Sequence, residues 1–226
     1  MNGIHDLQQV FSQRVFVIPD YQRGYAWEKR QWRDLREDLS ALPPGKAHYT
    51  GTLVLCQQTG ARQRDAKGKT FDVFDVVDGQ QRLTTLVILL DAIRRAMPST
   101  TLNSELADGV EDSFIKATGR NGQPFYKLTL NADCRDYFQR NVLGEAPSTD
   151  GPSILSHQRL SGARNYFEQW LADERERQAG GFDDWLLELH DKVTEQLKVS
   201  VYVVAEEGEV GVIFEVMNDR GKPLSE

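Results

Sequence analysis

The sequence predicts a mixed α/β fold with helical additions, and three observations predict it. The run Phe71 to Leu90, FDVFDVVDGQQRLTTLVILL, changes hydrophobic period in its middle. Phe71, Val73, Val76 and Val77 read as a mostly buried strand, whereas Leu83, Leu86, Val87, Leu90 and Ile93 recur at the spacing of one helical face. Strand-like runs also stand at Val15 to Ile18, Tyr49 to Gln57 and Lys198 to Ala205. Between them lie amphipathic stripes of helical spacing, so strands and helices are interspersed along the chain.

In order, Ile4 to Gln13 predicts a short helix with Leu7, Val10 and Phe11 on its apolar side, and Val15 to Ile18 a strand that Pro19 stops. Pro19 to Trp27, PDYQRGYAW, then places three aromatics, an arginine and a glutamine in one loop. Such a loop is either a binding edge or a plug, with Tyr25 and Trp27 in the core and Arg23 in a salt bridge. Trp32, Leu35, Leu39 and Leu42 give a helix over 28–42 that Pro43-Pro44-Gly45 ends. Its charges nearly cancel, as on a solvated face. In the following strand, Tyr49 to Gln57, Gly51 marks a bulge or a close backbone approach. Gln58 to Thr70 reads as a long polar hairpin connection. Its Gly68-Lys69-Thr70 resembles the end of a phosphate-binding P-loop, but position 63 is Gln and the segment leads into a strand, where a P-loop opens a helix.

The period switches at Asp78-Gly79-Gln80-Gln81-Arg82. Asp78 fits an N-cap and Gln81 a capping box, which leaves Gly79, Gln80 and a cation in the first turn unexplained. A positive side chain is poorly placed at a helix amino terminus unless an anion lies between them, so the segment is either a capped helix or an anion site. Beyond Met97-Pro98-Ser99, residues 104–118 are weakly helical, Phe125 to Leu130 reads as a short strand, and a short helix lies around Asp133 to Arg140. After the Pro/Ser/Gly-rich stretch from Gly144 to Ser153, Leu160, Ala163, Phe167, Trp170 and Leu171 form one helical stripe; Trp185, Leu186, Leu189, Val193 and Leu197 form another. Such stripes read as core. Val210, Ile213, Phe214 and Met217 predict a last short helix, ending at Asn218-Asp219-Arg220-Gly221.

Composition bounds the function. At 226 residues the chain supports one sizeable core with a helical annex. It shows neither an apolar run long enough for a membrane span nor the basic and apolar regions of a signal peptide. Two distant cysteines, Cys56 and Cys134, fit a reduced cytoplasmic protein. The net charge of −7 disfavours general nucleic-acid binding and still permits a local basic cleft. His5, His48, His157 and His190 fall in no metal-binding spacing.

Three ordered segments carry a resemblance: IPDYQRGYAW at 18–27, VVDGQQRLTTL at 76–86 and IFEVMNDRGKPLS at 213–225, with the Gly51 strand between the first two. Together they resemble the N-terminal domain of GmrSD-type modification-dependent restriction enzymes, relatives of which include the phosphorothioate-sensing SspE proteins. The resemblance implies a ParB/sulfiredoxin-like core divided into a first part at 1–97, a mainly helical insertion at 98–197 and a returning strand and helix at 198–226. It further implies nucleoside triphosphate hydrolysis at the DGQQR segment, modified DNA as partner, and a separate C-terminal nuclease, often of HNH type, that this chain lacks; it looks like a truncated piece or a stand-alone sensor.

Phosphoryl transfer needs donors around the phosphates, usually Mg²⁺, and a group that orients water. On that reading Arg82 and Arg23 hold phosphate oxygens, Gln80 or Gln81 orients water, and Asp78 binds Mg²⁺ in competition with its capping role. Tyr21, Tyr25 or Trp27 stacks on a base. Gln22, Gly51, Gly79, Asn218, Arg220 and Gly221 complete the nucleotide- or DNA-binding set. Two rival readings are a non-catalytic reader of modified DNA and a ParB-like nuclease.

Overall fold

The computed structural model describes residues 2–97, 101–144 and 151–204. Among these residues eight strands run in chain order: β1 (Gly3–Asp6), β2 (Arg14–Val17), β3 (His48–Arg64), β4 (Thr70–Asp78), β5 (Lys116–Thr118), β6 (Pro124–Tyr126), β7 (Leu128–Thr129) and β8 (Leu197–Val204). Six form a mixed sheet of order β1-β8-β3-β4-β2-β7, with β4 inside it, antiparallel to β3 and parallel to β2. The remaining pair, β5 and β6, is a separate antiparallel ribbon. This is an α/β fold, as the interspersed periods predict.

The central strands read as nearly continuous apolar runs because both their faces are covered. Phe16, Leu53, Leu55, Phe74, Val76 and Val201 enter the main core, while Val54, Cys56, Val77 and Val204 form one smaller cluster, and Val15, Phe71 and Val73 another. On the main-core side lies α3 (Gln80–Ala96), with 13 of its side chains buried. It packs between the sheet and α6 (Leu155–Gln178), the Leu160/Ala163/Phe167/Trp170 stripe of which is fully inside. Asp91, buried on α3, accepts from both Arg94 and Arg95, and Arg95 also donates to the carbonyls of Leu143 and Gly144 at 2.9 Å each. Other helices are α1 (Leu7–Phe11), α2 (Lys29–Ala41), α4 (Thr101–Val110), α5 (Ala132–Tyr137) and α7 (Phe182–Asp191). No helix among the described residues is long and apolar enough to cross a membrane.

Four element assignments are corrected, the first being that the helical stretch expected at 104–118 ends at Ile115, because Lys116–Thr118 pairs with β6. The expected helix from Ile4 begins only at Leu7, because Gly3–Asp6 pairs antiparallel with β8 and Asp6 caps α1 reciprocally with Gln9. The polar stretch after Gln57 is largely strand: pairing with β4 resumes at Arg62↔Asp72 after an irregularity, leaving Asp65–Lys69 as the turn. A ladder without an apolar face carries no periodic signal. The expected strand from Phe125 to Leu130 is divided at Lys127, with β6 in the ribbon and β7 at the edge of the main sheet. The predicted helix at 210–217 and the Asn218 to Gly221 segment lie outside the described residues.

Candidate functional site at the amino terminus of α3

The DGQQR segment joins β4 to α3. Asp78 is the last residue of β4, held in register opposite Val54, and is exposed. Gly79 then turns the chain at φ +89°, and its carbonyl accepts the first helical bond from Leu83 N–H at 3.0 Å. A Cβ at position 79 would meet Thr52 O at 2.8 Å, so both conformation and space demand glycine. Gly79→Ala should therefore lower stability by about 1–2 kcal/mol in a urea titration. The predicted capping box is corrected: the ladder keeps Asp78 extended, Gly79 takes the N-cap position, and no side chain among the described residues caps the helix. The first N–H groups of α3 therefore carry the partial positive charge of an uncapped helix end, with the Asp78 carboxylate just before it.

Gln81 does something else. Its Oε1 accepts the backbone N–H of Ala26 at 2.6 Å and of Trp27 at 3.3 Å, and its Nε2 donates to Gly24 O at 3.2 Å. One buried amide therefore clasps the aromatic loop to α3 at both ends of its dipole. Gln80 donates to Gln22 Oε1 at 2.9 Å, and Gln22 donates in turn to Val77 O at 2.7 Å. From the far side, Asn131 Nδ2 donates to Gln22 O and Asp20 accepts the N–H of Ala132. The loop and the DGQQR segment thus form one hydrogen-bonded unit.

Within that unit the aromatics divide. Tyr21 is 62 % exposed. Tyr25 is 4 % exposed, its hydroxyl 2.7 Å from Thr85 Oγ1 and accepting from Trp32 Nε1 at 2.9 Å; burial pushes its pKa well up. Base stacking by Tyr25 is thereby corrected, since its ring is core, and Trp27 is half-buried against the same core. Tyr25→Phe is expected to cost about 1–2 kcal/mol, by leaving the buried Trp32 Nε1 without its acceptor while Thr85 keeps its bond to Gln81 O, and to leave ligand affinity unchanged.

Arg82 lies on the other flank of α3. It donates from Nη1 to Thr52 O at 3.3 Å and lines a small depression with Thr52, Gly79 and Val199. A Cβ on Gly51, at φ +114°, would fall 2.7–2.9 Å from its guanidinium atoms, so Gly51 is what lets the guanidinium lie against β3. The β3–β8 register also shifts between Tyr49 and Thr52. Burial lowers the Arg82 pKa, and Asp78 and Tyr49 raise it. Arg23, exposed, lines a separate depression with Gln80, Gln81, Thr84 and Asn131.

Residues 4–226 match the family described as the GmrSD restriction endonuclease, N-terminal domain. The match covers nearly the whole chain. The chain belongs to that family. A search of the curated proteins returned no match.

Membership assigns this GmrSD N-terminal domain to DNA restriction. Its structure brings together Tyr21 to Trp27 and Asp78 to Arg82, with Arg23 and Arg82 on opposite flanks of one helix end. The third predicted segment, with Asn218, Arg220 and Gly221, lies outside the described residues. Asn131 and Thr85, which hold the loop, carry no signal in the sequence, because each acts through a partner distant in the chain. Tyr49 also went unread: its hydroxyl is 3.2 Å from Thr52 Oγ1, and bonds from Ser200 and Thr52, with the Arg82 charge, lower its pKa. Among the described residues no three of His, Cys, Asp and Glu converge as a metal cage, and Asp78 is an exposed carboxylate.

Proposed function

We propose that this domain hydrolyses a nucleoside triphosphate at the amino terminus of α3 and couples that reaction to recognition of modified DNA, as the sensor of a restriction system completed by a nuclease. The observation that carries the reading is an uncapped helix amino terminus beside a half-buried arginine that spends only one long hydrogen bond on the protein among the described residues. Arg82 has four further N–H donors for phosphate oxygens, and the α3 N–H groups point the same partial charge at them.

Roles follow from what each group has left to give. Gln81 is committed at both ends, so Gln80, whose carbonyl oxygen makes no hydrogen bond among the described residues, is the residue to orient water. An exposed carboxylate fits Mg²⁺, which is commonly held by one or two carboxylates with substrate phosphates and water; Asp78 would hold it, and the ion would neutralise phosphate charge. Tyr21 is the aromatic still exposed for a base.

The test is phosphate release by this chain with each of the four NTPs, with and without phosphorothioate-modified and unmodified duplex. Hydrolysis of at least one nucleotide that changes with modified DNA is expected; no release under any condition sinks the reading. A second reading, a reader without hydrolysis, is favoured by the exposure of Tyr21 and Arg23 on the rim, where DNA phosphates and a modified group would meet them first. Binding of modified DNA without any phosphate release would select it.

A further inference from the structure

Where the ribbon meets the main sheet, the domain buries a lysine that the proposed reaction does not use. Lys127 lies between β6 and β7, its N–H donating to Ile115 O and its carbonyl accepting from Phe16 N–H, both at 2.8 Å. Clamped on both sides, the residue is fully buried, and its Nζ sits 3.5 Å from the ring centroid of Phe71 and 5.2 Å from that of Phe125. Among the described residues the ammonium makes no hydrogen bond or ion pair. The two carboxylates that act on it electrostatically are engaged elsewhere: Asp65 accepts from Lys69 N–H, and Asp112 is paired with Lys67.

Lys127 and Phe71 both line a cavity of about 360 Å³, the other walls of which include Phe11, Phe114, Ser113 and Lys69. That volume is in the range of small-molecule sites. Ring faces attract a cation but offer no lone pairs to its N–H donors, so a buried ammonium held this way is under-satisfied. Desolvation pushes its pKa down to about 8; Lys69 acts in the same direction, and Asp65 and Asp112 oppose it.

We propose that this cavity is a second binding site, for a small organic anion, in which Lys127 and Lys69 meet a carboxylate or phosphate group and the edge-to-face pair Phe11 and Phe114 forms an apolar wall for the rest of the molecule. The anion supplies the acceptors that Lys127 lacks. His190 also lines the cavity and is bonded to Asp191; with Lys69, Asp65 and Asp112 it completes the titratable groups around Lys127.

The test uses three probes on the whole chain, benzoate, phenyl phosphate and neutral benzamide, by calorimetry at pH 7 and pH 9.5. The two anions distinguish a carboxylate from a phosphate site. At least one should bind about tenfold or more tighter than benzamide, and its affinity should fall at pH 9.5, where Lys127 is neutral. Lys127→Met, nearly isosteric, should bind that anion about tenfold or more weakly and, without ligand, melt at a higher temperature than the native chain. Should the variant fail to fold, the pH comparison on the native chain still decides. Absence of binding by both anions at roughly 10 mM, corresponding to less than about 3 kcal/mol, overturns the proposal. So does affinity equal to that of benzamide, or unchanged at pH 9.5.

Discussion

Arg82→Ala is expected to lower NTP turnover by about 10²–10³-fold while the folded domain persists. The magnitude is that of removing one preorganised donor from a site where transition-state charge develops. Stability should change little, for two opposing reasons. Losing the 3.3 Å bond to Thr52 O leaves a carbonyl short of one partner, whereas removing a cation from the first helical turn relieves an unfavourable dipole interaction of a few tenths of a kcal/mol. Gly51→Ala approaches the same site without touching Arg82. A Cβ within 2.9 Å of the guanidinium must displace it, so turnover should fall in the same direction, alongside a stability loss from a non-glycine residue at φ +114°. Arg82→Lys, which keeps the charge and loses the planar fork, should lie between native and Ala. Melting curves come first, then phosphate release: unchanged turnover in a folded Arg82→Ala protein would remove the hydrolase reading, and weakened binding of modified DNA with no turnover in the native chain would leave the reader.

Gln81→Leu should destabilise the domain by about 2–4 kcal/mol and unseat the aromatic loop. Leucine matches the shape and removes three hydrogen bonds, leaving the N–H groups of Ala26 and Trp27 and the carbonyl of Gly24 partly buried without acceptor or donor. A urea midpoint reads the first effect. Trypsin cleavage after the exposed Arg23 reads the second: the Arg23–Gly24 bond should be cut faster in the variant under native conditions, because the clasp is what holds the loop down. Gln81→Glu separates acceptor from donor, since a carboxylate still accepts from Ala26 and Trp27 but faces Gly24 O with a negative charge. It should fall between native and Leu. A native-like midpoint and cleavage rate for Gln81→Leu would show that the loop is held by Gln22, Asp20 and Asn131 alone.

The clasp also explains why the loop admitted two readings in sequence. Gln81 and Ala26 are 55 positions apart, so nothing local says whether Tyr25 is a plug or a contact. The loop turns out to be both, with Tyr25 in the core beneath Thr85 and Tyr21 at the surface. Likewise, a carboxylate three residues before a glutamine satisfies the capping pattern, but Asp78 is taken by the β3–β4 ladder before it can cap.

By itself the sequence determined what depends on neighbours a few residues away, the strand-to-helix change at Gly79 and the apolar faces of α3 and α6, together with membership of the GmrSD family. These are legible because period and turn chemistry are local, set by Cβ direction and by φ. Tertiary structure alone decided the work of individual side chains. It set Gln81 to clasping, pressed Arg82 against Gly51, extended β3 through a polar stretch, and split a strand at Lys127 so that one ammonium is buried against the Phe71 ring. Each of these outcomes is a contest between partners far apart in the chain, settled by which backbone and side-chain groups the packed sheet brings within hydrogen-bonding reach.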